Sequence, residues 1–174
     1  MTHTEVILGD ITKLKVDAIV NAANSGLAGG GGVDGAIHRA AGKELYDECM
    51  RFPDSPMGRC PAGECVITGA GRLHCKNVIH TVGPIYSGKP SDALLLSNCY
   101  RNCLITATKS GLKSIAFSCI STGVYGYPKL EAARIAVDTV QEVIPRVPII
   151  NSVFFVCFDD ENYTIYKKLL PPPV

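Results

Sequence analysis

The segment Asn21-Ala22-Ala23-Asn24-Ser25-Gly26-Leu27-Ala28-Gly29-Gly30-Gly31-Gly32-Val33-Asp34-Gly35-Ala36-Ile37-His38-Arg39-Ala40-Ala41-Gly42 joins an apolar run to an amphipathic one through two asparagines and a run of glycines. The preceding Val16-Asp17-Ala18-Ile19-Val20 reads as a buried strand, and Val33, Ile37, Ala40 and Ala41 are spaced as one face of a helix. Glycines let backbone N–H groups approach a ligand closely and accept positive φ without strain. A helix start adds unpaired donors and a positive dipole end, which together favour a phosphate. A hinge or disordered linker would need polar, low-complexity flanks. Both flanks here are periodic and apolar.

Outward from this segment, Thr4 to Leu8 reads as a first strand, and helical spacing runs from Val33 to Met50 with Gly42 as a break. Arg51 to Gly63 carries Pro53, Pro56 and Pro61 and reads as a surface loop. Cys65 to Thr68 and Val78 to Val82 are strand-like, the latter stopped by Gly83-Pro84. Leu96, Cys99, Tyr100, Cys103, Leu104 and Ala107 repeat at three and four, predicting a helix that ends near Gly111. Ser114 to Ile120 reads as a buried strand. Ala133, Ala136, Val137, Val140, Val143 and Ile144 mark a helix closed by Pro145. Ser152 to Phe158 is the last strand and Tyr163 to Leu170 a terminal helix. Helices alternating with apolar strands imply a largely parallel sheet covered on both faces, with ligands outside the carboxyl ends of the strands. The loops starting at Asn21, Ser121 and Phe158 all occupy such ends.

The 174 residues, 47% hydrophobic and 19% charged, predict one globular domain over 1–174, with disorder expected only at Pro171-Pro172-Pro173. A net charge of +1 leaves no electrostatic footprint for duplex nucleic acid. No apolar run reaches membrane-spanning length, and Met1-Thr2-His3-Thr4-Glu5 lacks the features of a signal peptide. A reducing, cytoplasmic compartment is therefore expected for the eight cysteines, none of which forms a CxxC pair. Cys99, Cys103, Cys119 and Cys157 fall in apolar patterns and read as small buried hydrophobes.

Gly30-Gly31-Gly32-Val33-Asp34-Gly35 satisfies G-x-G-x-x-G, but Asn21 to Gly29 separate it from the strand, where a dinucleotide fold has an immediate turn. No Gly-Lys-Ser/Thr closes any glycine run, so a Walker loop fails too. The loop Ser121-Thr122-Gly123-Val124-Tyr125-Gly126-Tyr127-Pro128 offers hydroxyls and backbone donors suited to a diphosphate, with Tyr125 able to border a sugar. A plain strand–helix connection with packing tyrosines reads equally well. Asp10, in Gly9-Asp10-Ile11-Thr12, is either a turn acid, the commoner fate, or a carboxylate for an exocyclic amine. Phe158 could stack on a base, although completing the core is the more ordinary role. His38 and His80 pair with no nucleophile in sequence and read as structural.

Together these segments resemble the macrodomain family, in its MacroD-type branch. The likeness rests on Gly9 to Thr12, Val16 to Asn24, Gly29 to Gly42, Val78 to Pro84 and Ile120 to Pro128, and it spans nearly the whole chain in one order. Ser118 and His74-Cys75 depart from the family pattern beside these motifs, where proline and proline-alanine are expected. The resemblance implies a three-layer α/β/α sandwich with a mixed, largely parallel central sheet. It implies an ADP-ribose cleft in which Asp10 holds the adenine amine, with the Ile11 backbone beside it and Phe158 against the base. Ala22 belongs to the same binding set. Gly32 and Val33 amides, with Ser121, Thr122, Gly123, Val124 and Tyr125, would wrap the diphosphate. Asn24 would hold the distal ribose and Asp34 would position or activate a water.

The implied activity is hydrolysis of mono-ADP-ribose esters on acidic side chains and of O-acetyl-ADP-ribose, without metal or cofactor. A reader that binds ADP-ribose without turnover is the alternative. Mono-ADP-ribosylated proteins are the expected partners, and a monomer the expected state. The dipole at the helix start favours ionised Asp34, which makes it a weak base.

Overall fold

The computed structural model describes residues 2–170, so the proline tail lies outside the described residues. Among them, six strands form one sheet: β1 (His3–Leu8), β2 (Ala18–Ala22), β3 (Cys65–Gly69), β4 (Asn77–Thr81), β5 (Ser114–Phe117) and β6 (Ser152–Cys157). Their spatial order is β1-β6-β5-β2-β4-β3. Every pairing is parallel except β3 against β4. Five helices connect them: α1 (Gly32–Ala41), α2 (Lys43–Met50), α3 (Pro90–Lys109), α4 (Lys129–Val143) and α5 (Asp160–Leu169).

Strand side chains alternate between two cores, as the period of two requires. Ala18, Val20, Ile79, Ile115, Phe117, Val153 and Phe155 face α3, α4 and α5. Ile19, Val78, Ala116 and Val156 face α1 and α2. The result is the expected α/β/α sandwich. Adjacent strands β2 and β5 send their following helices to opposite faces, α1 to one and α4 to the other. Their carboxyl-end loops therefore diverge and open a crevice.

The local signals act as the chemistry predicts. Gly42, at φ +88°, closes α1 by donating its N–H to His38 O at 3.0 Å, and α2 starts at the next residue. Pro90 opens α3 at a position where a missing N–H costs nothing. Asp159 caps α5, accepting from Asn162 N–H at 2.7 Å, so this helix begins three residues before the apolar repeat does.

Two strands depart from expectation by more than one residue. Strand β2 runs from Ala18 to Ala22 rather than from Val16 to Val20, because its ladder with β4 continues through Asn21↔His80 and Ala22↔Thr81. Strand β5 stops at Phe117 instead of Ile120. Beyond the last pair, Val20↔Phe117, the Ser118 hydroxyl donates to Val20 O at 2.8 Å and takes over from the ladder.

Candidate functional site

A cleft of about 990 Å³ opens across the carboxyl ends of β1, β2, β5 and β6. All the residues expected at the site line it: Asp10, Ile11, Ala22, Asn24, Gly32, Val33, Asp34, Ser121, Thr122, Gly123, Val124, Tyr125 and Phe158. Cys119, Lys129, Asp159 and Asn162 line it as well; Cys119 is therefore half-buried at the cleft rather than a core hydrophobe, because the chain leaves the sheet after Phe117.

Unpaired backbone donors come to the cleft from two loops. The first amide bond of α1 runs from Gly35 N–H to Gly31 O at 3.1 Å. Among the described residues, the amides of Gly32, Val33 and Asp34 precede it without an acceptor, and no side chain caps the helix. Gly32 has φ +57°, a conformation that only glycine adopts freely. Gly35 has a steric duty instead, since a Cβ there would collide with Gly30 O and the Arg39 guanidinium.

Opposite, the amides of Ser121, Thr122, Gly123, Val124 and Tyr125 have no acceptor among the described residues. Ser121 is held at φ +66°, an uncommon conformation for a residue with a Cβ. Its hydroxyl donates to Pro84 O at 2.9 Å and its carbonyl accepts from Tyr127 N–H at 2.9 Å. Tyr86 N–H donates to Tyr125 O at 2.9 Å. Anchored at both ends, this loop is better described as a preformed set of donors than as a plain connection.

At the β1 end, Asp10 proves to be both a turn acid and a cleft residue. Its Oδ1 accepts from Thr12 N–H at 2.9 Å and from the Thr12 hydroxyl at 2.7 Å, while Oδ2 takes no bond from the described residues. The Thr12 hydroxyl bond, with the Thr12 amide bond, holds its carboxyl below the usual range, against the opposing pull of burial. Phe158 is 74% exposed, which overturns the core reading. Strand β6 ends at Cys157, and the chain turns into the Asp159 cap, leaving the ring over the cleft.

At the other end, Asp34 is 5% exposed. Its Oδ1 accepts from Asn21 Nδ2 at 2.7 Å and lies 3.4 Å from His38 Nε2, too misaligned for a hydrogen bond. Burial raises its pKa, with the Asn21 bond and the His38 charge opposing. This corrects the expectation from the helix dipole alone: desolvation wins, and Asp34 is a better base than its place at a helix start suggests.

Asn21 and His80 were not read as site residues, yet both are fully buried beneath Asp34. Asn21 shares a sheet face with Ile19, two residues earlier, and His80 is its ladder partner on β4. Asn24 braces the glycine run, donating to Gly29 O at 2.8 Å and accepting a long bond from Ala28 N–H. Among the described residues, no three His, Cys, Asp or Glu side chains are grouped to hold a metal ion.

The Macro domain family profile matches residues 20–136, which include both donor loops and both asparagines. The chain belongs to the macrodomain family. Curated relatives agree. A Salmonella newport protein named O-acetyl-ADP-ribose deacetylase is 55% identical over 170 residues, covering 97% of this chain and 94% of its own length. A Citrobacter rodentium protein of the same name is 56% identical, covering 97% and 96%. An Oceanobacillus iheyensis macrodomain mutant solved with ADPR superposes with a TM-score of 0.88 at 44% identity, covering 94% of this macrodomain and 89% of that one. A Trypanosoma brucei macrodomain in complex with ADP-ribose does so with a TM-score of 0.88 at 44% identity, covering 96% and 68%.

Proposed function

We propose that this macrodomain binds ADP-ribose in the cleft and hydrolyses O-acetyl-ADP-ribose and mono-ADP-ribose esters on acidic protein side chains, in the manner of the MacroD-type branch. The observation that carries the reading is the pair of unpaired amide sets, Gly32 to Asp34 and Ser121 to Tyr125, lining one cleft with a buried carboxylate at its end. Backbone donors converging without partners at a helix start and a turn make an anion site, and a diphosphate supplies acceptors for both sets. The names of the relatives and the ligands of the structural neighbours support the same choice.

In this reading Asp10 Oδ2 accepts from the adenine amine, the Ile11 backbone lies beside it and Phe158 covers the base. Asn24 holds the distal ribose. Asp34 orients a water against the ester carbonyl. The water oxygen attacks the acyl carbon, its proton passing to the carboxylate or to a substrate phosphate oxygen. The bond from the acyl carbon to the ribose oxygen then breaks, and the departing ribose oxygen takes that proton to become a hydroxyl. Acetate, or the freed acidic side chain, leaves with ADP-ribose. Positioning of this kind contributes up to about 7 to 11 kcal/mol at its best.

The test is a single-turnover assay on O-acetyl-ADP-ribose and on a glutamate-linked ADP-ribosyl protein, with calorimetry on ADP-ribose. Binding with release of product from both substrates is expected. Tight binding with no release would make the protein a reader, and no binding at millimolar ligand would defeat the reading altogether.

A further inference from the structure

The hydrogen-bond chain under Asp34 has a direction, fixed at its far end. Thr68 Oγ1 donates to Gly69 O at 2.8 Å, which commits the only proton of that hydroxyl. The same oxygen, 3.0 Å from His80 Nε2, must therefore accept. His80 consequently carries its proton on Nε2 and turns the Nδ1 lone pair to Asn21 Nδ2, 3.1 Å away. The second hydrogen of that amide goes to Asp34 Oδ1 at 2.7 Å. Burial, with a smaller contribution from His38, holds the His80 pKa down to about 3, so the ring keeps this lone pair at any ordinary pH.

The consequence falls on the two oxygens of Asp34. Oδ1 is occupied by the Asn21 amide and faced by His38. Oδ2 lies on the side of Gly30, where an added Cβ would stand 3.4 Å from it and 3.6 Å from Asn24 Nδ2. The free oxygen and the Asn24 amide thus border the same space at the cleft.

We propose that His80 is a positioning residue: through Nδ1 it fixes the Asn21 amide, which pins Asp34 Oδ1 and leaves Oδ2 as the oxygen that engages the water. The inference rests on the hydrolytic reading above. A histidine kept for packing alone would not need its lone pair aimed at an amide that is itself committed to the carboxylate. The groups facing Asp34 are Asn21 from β2, His38 from α1 and, through Asn21, His80 from β4. Cys49 from α2 lies 3.8 Å from His80 Nε2, its thiol pushed up to about 11 by burial with the Asp34 and Glu48 charges adding to it. Glu48 itself is turned to Gly69 N–H at 2.9 Å.

Imidazole nitrogen NMR on the wild type reads the direction of the chain without any mutation. The Nε2–H tautomer, neutral down to about pH 5, is expected; an Nδ1–H tautomer or a titrating ring would overturn the proposal. Single-turnover rates and ADP-ribose affinity are then measured for His80→Leu, His80→Asn and Thr68→Val. His80→Leu is expected to slow turnover about 10- to 100-fold, the usual cost of losing a group that orients a reacting one, with affinity changed less than about threefold. Its acid limb should move to higher pH, because the Asn21 amide, no longer held by His80, weakens the bond that favours ionised Asp34. His80→Asn places Oδ1 near the position of Nδ1 and should recover most of the rate. Thr68→Val frees the tautomer and should give a smaller loss of the same kind, which decides the matter if His80→Leu does not fold.

Turnover and pH profile unchanged in His80→Leu, in a protein that Asp34→Ala inactivates, would overturn this inference alone. A wild type that binds ADP-ribose and releases nothing would overturn the hydrolytic reading and this inference with it.

Discussion

Two aspartates stand at opposite ends of the cleft, and their surroundings give them opposite chemistry. Asp10 is exposed, held by its own turn through Thr12, and its pKa is lowered first by the Thr12 hydroxyl. Asp34 is buried against Asn21 and His38, and its pKa is raised first by desolvation. The first is an acceptor that stays ionised, with Oδ2 open to a further donor. The second is a carboxylate whose proton affinity has been brought toward that of a useful base. The position of a residue type along a chain does not distinguish these roles; the number of elements that close around it does.

The largest expected effect tests whether the buried end works as a unit. Asn24→Ala should lose most single turnover, with a somewhat larger effect on ADP-ribose binding than Asp34→Ala. The double variant should be little slower than the worse single one, since both residues orient one reacting centre. Additive losses would separate Asn24 from Asp34 and break the idea of a single reacting end.

The next effect belongs to the open end. Asp10→Ala should weaken ADP-ribose binding by about 1.5 to 3 kcal/mol, the size of a hydrogen bond to a charged group. Binding of ribose 5-phosphate, which has no adenine, should change far less. Equal losses would make Asp10 only the cap of its turn. Calorimetry on both ligands decides.

A smaller effect has opposite sign at the two ends and is read from thermal melting against pH. The fold binds the Asp34 proton more tightly than the unfolded chain does. Stability is therefore lost as pH rises from the ordinary carboxylate value of 3.8 through the raised one. Asp34→Asn should accordingly melt above wild type at neutral pH, with the gain vanishing in acid. Asp10, depressed below 3.8, contributes stability that is present above that value and lost as pH falls through its own. Asp10→Asn should melt slightly below wild type at neutral pH and converge with it in acid. The same sign for both variants would contradict the contrast.

The smallest effect concerns the thiols. Contacts with Cys103 and the Thr106 hydroxyl bring half-buried Cys65 down to about 7, outweighing burial. Cys119, which lines the cleft 3.9 Å from the Cys157 sulfur, is pushed up by that neighbour and by burial. Mass mapping after brief iodoacetamide treatment should find Cys65 modified before Cys119, with ADP-ribose binding unchanged at that stage.

What the sequence disclosed and what it hid divide along the same line. The strand, glycine run and helix around Asn21 to Gly42 were readable because period and glycine act locally. The donor loop at Ser121 was readable as hydroxyls and glycines after a strand, though its anchoring by Pro84 and Tyr86 was not. The buried end was hidden because it is made by register. A strand over Val16 to Val20 would leave Asn21 outside the sheet, whereas its ladder partner His80 draws it in and onto the α1 face. The parity of Asn21 with Ile19 was the available signal. The Asp34 shift runs against the helix dipole because the dipole is local, whereas desolvation depends on what the fold packs around the carboxylate. Phe158 continued the alternation of β6 as a core residue would. Only the Asp159 cap, which bends the chain after Cys157, leaves it exposed.

The central claim is that recognition and hydrolysis are carried by different ends of one cleft. Its most direct test is Asp34→Ala, measured for single turnover of O-acetyl-ADP-ribose and, on the same preparation, for ADP-ribose affinity. Turnover should fall by about 10²- to 10⁴-fold, the range for loss of a group that manages the attacking water, while affinity changes by tenfold or less, about 1.4 kcal/mol. Undiminished turnover in Asp34→Ala, or a loss of rate accounted for wholly by lost binding, would contradict it.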